Sequence, residues 1–332
     1  MKLLFVWTGV TGYMADCWRE LASRADVELK VVVVVEARNA RQVGYAANEV
    51  LQGLDAVVVQ DEATAPDLGE WTPDVMFVVG WRSRICREFV RTRKRRAVPK
   101  VCCFDMPWRW KPRCLVAPLA LGRFLRGYSA AFVPGNACAR YAKWLGFRRI
   151  YRGLFAIDVG RFASGGAAGD DGCFLYVGRN APEKRLDVLR EGYRLYRERG
   201  GRRELKLYGK DLPGGFVSPG EVPRLMHSAA AFVLASDFDP WPLVLLEAMS
   251  AGCPIVASDR CTNRPELGAN WIVFRHGDAE GLARALLERD SLTEPRRAEM
   301  RRENRRIARA YDCSNWADKV IALSREILLE GR

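Results

Sequence analysis

The chain has 332 residues, 49% of them hydrophobic and 28% charged, a globular composition with room for two domains of ordinary size. Its formal net charge of +13 comes from 53 Lys plus Arg against 40 Asp plus Glu, a field that attracts anions. Ten cysteines contain no Cys-x-x-Cys pair, and the histidines are two, His227 and His276, which argues against a structural zinc or histidine-rich metal site, and the thiols read as reduced and cytosolic.

The start, MKLLFVW, has an apolar run of about five residues before Thr8 and Gly9, too short for the core of a secretory signal, and it predicts a first β-strand. The longest later apolar run, Val31 to Val35, is far below the roughly twenty residues that span a bilayer. Chain order then predicts a helix from Ala15 to Arg24, strand ELKVVVVV, a helix around Ala40 to Leu51, and strands DAVVVQ, DVMFVVG, KVCCF and AAFVPG. Short continuous β-rich runs alternating with helices indicate buried parallel strands in βαβ units.

The first strand-to-helix turn carries Gly9 and Gly12, where missing side chains let a ligand or loop approach the backbone. It lacks the full G-x-G-x-x-G pattern, so a dinucleotide site is poorly supported. Between Arg82 and Arg126 lie 14 basic and 2 acidic residues, together with Trp108 and Trp110 and close to Trp81. This segment predicts an anionic partner, a membrane surface, a nucleic acid or a phosphorylated substrate, with the membrane surface favoured.

Residues Asp158 to Gly172 collect Gly, Ala and Asp, as linkers do. A second series follows: CFLYVG, a helix from Leu186 to Glu198, ELKLYG, a short helix near Val222 to Ala229, AAFVLAS, a helix from Leu243, CPIVAS and NWIVF. The pattern predicts an α/β protein of two facing Rossmann-like βαβ domains with a cleft between them. The domains expected are 1–160 and 161–312, with a C-terminal helix at 313–332 packing back on the first.

Two stretches of the second domain carry candidate chemistry. LYVGRNAPEKRLDVL delivers Arg179 and Lys184 to the carboxyl end of a strand, where two cations beside a helix suit a diphosphate. SDFDPWPLVLLEAMS sets Glu247 one turn into a helix, where a carboxylate accepts hydrogen bonds from vicinal hydroxyls such as those of a ribose. The same stretch holds Asp237-x-Asp239, which also reads as a metal-binding D-x-D.

Taken together, VGRxxxEK, LKLYGK, DPWPLVLLEAMSAGCPIVASD and RPEL resemble the donor domain of retaining GT-B glycosyltransferases of family 4 (glycosyl transferases group 1), over residues 172 to about 280. The resemblance implies a hexosyltransferase that moves a sugar from a nucleotide diphosphate sugar to a hydroxyl acceptor, glycan, lipid-linked or other. The thiols and the basic segment 82–126, not the resemblance, give the expectation of a cytoplasmic protein peripheral to a membrane face; the resemblance implies no metal and no cofactor beyond that substrate. In its terms Gly178, Arg179 and Lys184 meet the diphosphate, Asp239 lies near the sugar, and Glu247 holds the ribose. Trp241 and the amides from Leu243 and Val244 complete the donor site, since Pro242 has no N–H to give. Arg179, Lys184 and Asp239 are the expected catalytic groups, and Gly9, Gly12 and Asp105 the acceptor-side ones. Asp105 stands in the region where many members have a histidine, or else serves as a cap. The alternatives are a nucleotide-sugar epimerase of the same fold, a metal-dependent GT-A enzyme using the D-x-D, and a basic nucleic-acid or membrane-binding protein with a degenerate donor site.

Overall fold

A computed structural model describes residues 1–35, 47–60, 64–92, 97–163 and 172–330. The expected helix from Ala40 to Leu51 lies in part outside the described residues and is helical over Ala47–Val50. Most of the expected linker and the centre of the basic run after Arg91 lie outside them too. The chain divides into two compact units, Met1–Ile157 with Cys313–Arg332, and Asp158–Asp312.

The first unit is built on a seven-stranded sheet: β1 Lys2–Thr8, β2 Glu28–Val35, β3 Ala56–Gln60, β4 Val75–Val79, β5 Lys100–Cys103, β6 Ala130–Val133 and β7 Ile150–Arg152. Their order is β3-β2-β1-β4-β5-β6-β7, with parallel pairing throughout. Parallel strands are covered on both faces, so they read as unbroken apolar runs. Accordingly Leu3, Leu4, Phe5 and Val6 are fully buried, and Phe5 stacks on its register partner Phe77 at 4.5 Å. β7 was not expected from sequence, because its three residues Ile-Tyr-Arg are only partly buried and carry little apolar signal.

Helix Pro112–Leu125 was also not expected. Pro112 at its first turn is favourable, but Pro118 lies in its interior and lacks the N–H that would bond the carbonyl four residues back. That carbonyl belongs to Cys114, and the Trp144 indole N–H donates to it at 3.2 Å. A side chain from the following helix, Asn136–Trp144, thus satisfies the group that the proline orphans.

The last helix, Cys313–Glu330, packs on helix Gly12–Ala22 within the first unit. Cys313 Sγ lies 3.5 Å from Cys17 Sγ. Trp316 is 2% exposed, lies 5.8 Å from the Phe5 ring, and donates its indole N–H to the Leu154 carbonyl at 2.8 Å.

The second unit holds β8 Phe174–Val177, β9 Leu205–Tyr208, β10 Ala231–Leu234, β11 Ile255–Ser258 and β12 Ile272–Phe274. They are ordered β12-β11-β10-β8-β9 and all parallel. The chain runs from β8 outward to β9 on one side, then returns to β10 on the other. Adjacent loops therefore diverge at the carboxyl ends of β8 and β10, where open α/β sheets form a ligand crevice. The first sheet reverses in the same way between β1 and β4.

Trp316→Ala is expected to lower stability by about 3–5 kcal/mol, the usual cost of emptying a large aromatic core site, as measured by urea denaturation.

Candidate active site

The loop after β8 is shaped by Tyr176, which donates its hydroxyl to the Arg179 carbonyl at 2.8 Å. A Cβ on Gly178 would lie 2.7 Å from that hydroxyl, so a larger residue there would have to displace the tyrosine that shapes the loop. Gly209, at φ +154, passes so close that a Cβ would stand 1.9 Å from the Gly178 carbonyl. The chain then makes a 3₁₀ turn at Pro182–Lys184 and a left-handed residue, Arg185 at φ 49, before helix Leu186–Glu198. Arg185 forks between Asp237, at 2.9 and 3.1 Å, and Asp187, and this contact holds the Asp187 carboxyl below its usual range.

The loop after β10 presents Asp239. Its Oδ2 accepts from Lys184 Nζ at 2.5 Å and its Oδ1 from the Trp241 amide at 3.3 Å. The two side chains are 15% and 10% exposed, so the pair is largely withdrawn from water. Removing one partner of such a pair strands the other charge. The loop is tied to the turn after β11, since the Asp239 amide donates to the Arg260 carbonyl and the Thr262 amide to the Asp239 carbonyl. Trp241 is buried beside Tyr311, and its indole N–H has no partner among the described residues.

Helix Leu243–Ser250 follows Pro242 directly. The amides of its first turn, Leu243 and Val244 among them, have no intrahelical acceptor. One turn in, the half-buried Glu247 makes no hydrogen bond among the described residues. Burial pushes its carboxyl up to about 7, and the charge of Arg161 opposes this more weakly.

The structure thus brings Lys184 and Asp239 into contact beside Gly178, Trp241 and the start of the Leu243–Ser250 helix. It does not bring Arg179 to them: that guanidinium is 57% exposed and pairs with Glu183 at 3.1 Å. Two residues were missed by sequence reasoning. Arg185 was indistinguishable from any basic neighbour of Lys184. Asn263 is fully buried, with neither amide atom of its side chain partnered among the described residues, and nothing in TNRPEL marks it.

In the first unit a pocket of about 260 Å³ opens at the carboxyl ends of β1, β4 and β5. Trp7, Tyr13, Phe104 and Phe155 give it aromatic walls, and Gly9, at φ 72, and Asp105 lie in its lining. The buried Thr11 hydroxyl there has no partner among the described residues. Gly12 is not in the lining and opens helix Gly12–Ala22 instead. Asp105 does not cap the next helix in the chain, which begins only at Pro112; its carbonyl accepts from Cys138 Sγ, in the first turn of helix Asn136–Trp144. Neither histidine lies in this unit: His227 meets the Phe162 carbonyl at 2.7 Å and His276 the Asp259 carboxylate at 2.9 Å.

Residues 172–289 match the family model for glycosyl transferases group 1, so the second unit carries a glycosyl transferases group 1 domain. No curated protein matches the chain in sequence. Anabaena HepE in complex with UDP and glucose superposes with a TM-score of 0.70 at 14% identity, over 98% of this chain and 100% of that one. A glycosyltransferase from Rickettsia africae gives 0.76 at 12% identity, over 98% of each chain. The E. coli trehalose-6-phosphate structure bound with UDP-2-fluoro glucose gives 0.70 at 11% identity, over 98% of this chain and 99% of that one. Likeness at these identities establishes the fold, which is GT-B; with its group 1 domain, the protein is a glycosyltransferase.

The Glu247 carboxyl sits near 7 in the folded chain against an ordinary 4.5, so between those values the folded state holds a proton that the unfolded state has lost. Stability contributed by the protonated form is full below pH 4.5 and is lost as pH rises to about 7, a fall of up to about 3 kcal/mol. Denaturant titrations of the ligand-free protein and Glu247→Gln across this range should differ by that slope, with the variant the flatter.

Proposed function

We propose that the protein is a retaining hexosyltransferase of family 4, drawing on a nucleotide diphosphate sugar without a metal ion. The observation that carries this reading is the Lys184–Asp239 pair, set on the loops where the strand order of the group 1 domain reverses. An ammonium has three donors, so Lys184 can keep Asp239 while meeting a phosphate oxygen of the donor. Asp239 then fixes the direction of that ammonium and borders the sugar. The free amides from Leu243 and Val244 add a positive helix end toward the same anion. Glu247, unpartnered and raised toward neutrality, accepts the ribose hydroxyls.

Transfer with retention would proceed by attack of the acceptor hydroxyl on the face that the diphosphate leaves. The anomeric C–O bond to phosphate breaks, the new glycosidic bond forms, and the departing phosphate oxygen takes the acceptor proton. The protein's share is stabilising the charge that builds on the leaving diphosphate. Arg179 joins that work only by leaving Glu183, an exposed pairing worth little. The aromatic pocket bordered by Gly9 and Asp105 takes the acceptor, a glycan, a lipid-linked or another hydroxyl compound.

Metal independence is supported by the occupancy of the D-x-D carboxylates. Asp237 is held by Arg185 and Asp239 by Lys184, so a divalent ion would have to displace two cations already hydrogen-bonded there. Chelation with EDTA is expected to leave the rate within about twofold. We further infer that the enzyme works at the cytoplasmic face of an anionic membrane, supported by the charge and tryptophans of residues 82–126.

Lys184→Ala should lower kcat/KM by about a hundredfold or more, as a charge-assisted contact to the leaving group is lost. Glu247→Gln should mainly weaken nucleoside diphosphate binding, by about 1.5–3 kcal/mol. Asp239→Asn should depress kcat more than nucleotide affinity. Calorimetry with the nucleoside diphosphate, beside steady-state rates, separates these outcomes, and near-normal turnover by Lys184→Ala would refute the assignment.

A further inference from the structure

Helix Pro112–Leu125 turns an apolar stripe outward. Successive residues rotate by about 100°, so Leu115, Val116 and Leu119 share one side, and Leu119 is 89% exposed. Beside the N-terminal end of the helix Trp110 is 87% exposed, its ring 5.8 Å from Trp108, which lies 5.1 Å from Trp144. An exposed apolar patch with a cluster of edge-to-face indoles is uncommon on a soluble surface and marks an interaction site.

The next side of the helix walls a groove of about 580 Å³, lined by Pro118, Leu125, Trp144 and Phe147 with Arg126 and Arg148. That volume lies within the usual range of small-ligand sites. Trp144 is held in the wall by its bond to Cys114, the bond that Pro118 makes necessary. From 106 to 157 the sequence has ten basic residues and no acidic one. Arg123, Arg126, Lys143 and Arg148 form no ion pair among the described residues. Among the described residues no helix is long and apolar enough to cross a membrane, so this face suits contact with a surface rather than passage through one.

We propose that this groove is a binding site for an anionic glycerophospholipid of a membrane surface. The lipid phosphate lies between Arg126 and Arg148, an acyl chain lies along Pro118, Leu125, Trp144 and Phe147, and Leu119 and Trp110 enter the interface beside it. Charge complementarity selects the anionic headgroup, and the exposed apolar side chains beside the groove, Leu115, Val116, Leu119 and Trp110, distinguish a lipid from a soluble phosphate or a nucleic acid, which would leave them in water. The proposal rests on the membrane association inferred above and gives it a place on the molecule.

The test is sedimentation of the full chain with phosphatidylcholine vesicles, with and without phosphatidylglycerol. Three variants are compared: Arg126→Glu with Arg148→Glu, Leu119→Gln, and Arg84→Glu with Arg87→Glu on another exposed basic helix. Phosphatidylglycerol is expected to strengthen binding about tenfold or more. The groove double variant should lose about tenfold or more, Leu119→Gln about fivefold, and the Arg84 and Arg87 variant less than twofold. Donor hydrolysis in solution and the circular dichroism spectrum should be unchanged in all three.

Equal losses in the two double variants would mean a diffuse basic field and overturn the groove while leaving membrane association standing. No preference for phosphatidylglycerol would overturn both. Release of the protein by inorganic phosphate at constant ionic strength, or RNA binding that Arg126→Glu with Arg148→Glu abolishes, would overturn the lipid in favour of a soluble anion or a nucleic acid.

Discussion

The second unit is organised around one ion pair. Lys184 and Asp239 come from loops that leave neighbouring strands in opposite directions, and their contact ties those loops together where the sheet would otherwise leave an open crevice. The pair is mostly out of water, so its attraction is strong and its desolvation cost large. Such a pair is stable when its carboxylate is further hydrogen-bonded and the cation keeps an edge in water. Here Asp239 also caps the Trp241 amide and is braced by the turn after β11, while the ammonium retains spare donors. An arrangement that spends stability to keep a directed cation at a strand end is what an anion-binding site requires.

Glu247 and Asn263 show the other side of the same economy. A carboxyl raised toward neutrality with no partner, and a fully buried amide with none, both run against the rule that buried polar groups are satisfied. Exceptions of this kind gather where a ligand is meant to complete the bonding. On the proposed reading, the donor's hydroxyls and phosphates provide what the protein alone withholds.

Much of the architecture was legible because buried parallel strands and helix-forming stretches leave local signals. VVVVV and FLYV could hardly be anything but interior strands, and the helix from Leu243 begins where Pro-Trp-Pro ends. The two units part between Ile157 and Asp158, where the glycine-rich stretch begins. What local signal does not carry is which distant groups meet. Arg179 and Lys184 look equivalent in one motif, yet one faces Glu183 in solvent and the other crosses 55 positions to Asp239. Helix Pro112–Leu125 was hidden because two prolines and a crowd of basic residues obscure its repeat, and the donor that rescues Pro118 lies on another helix. β7 was too short and too exposed to register.

The assignment of Cys313–Glu330 to the first unit has a consequence for the order in which the molecule forms. The second unit is one continuous segment, complete once Asp312 has left the ribosome. The first is split: Phe5 and helix Gly12–Ala22 are made before the second unit, while Trp316, which covers them, is made after it. Domains generally fold as units and N-terminal first during synthesis, but here the N-terminal sheet must wait, with an apolar face uncovered, while its insert is translated. The nascent chain therefore folds its second unit before its first is sealed, and that interval is when the protein is most exposed to aggregation and to chaperones.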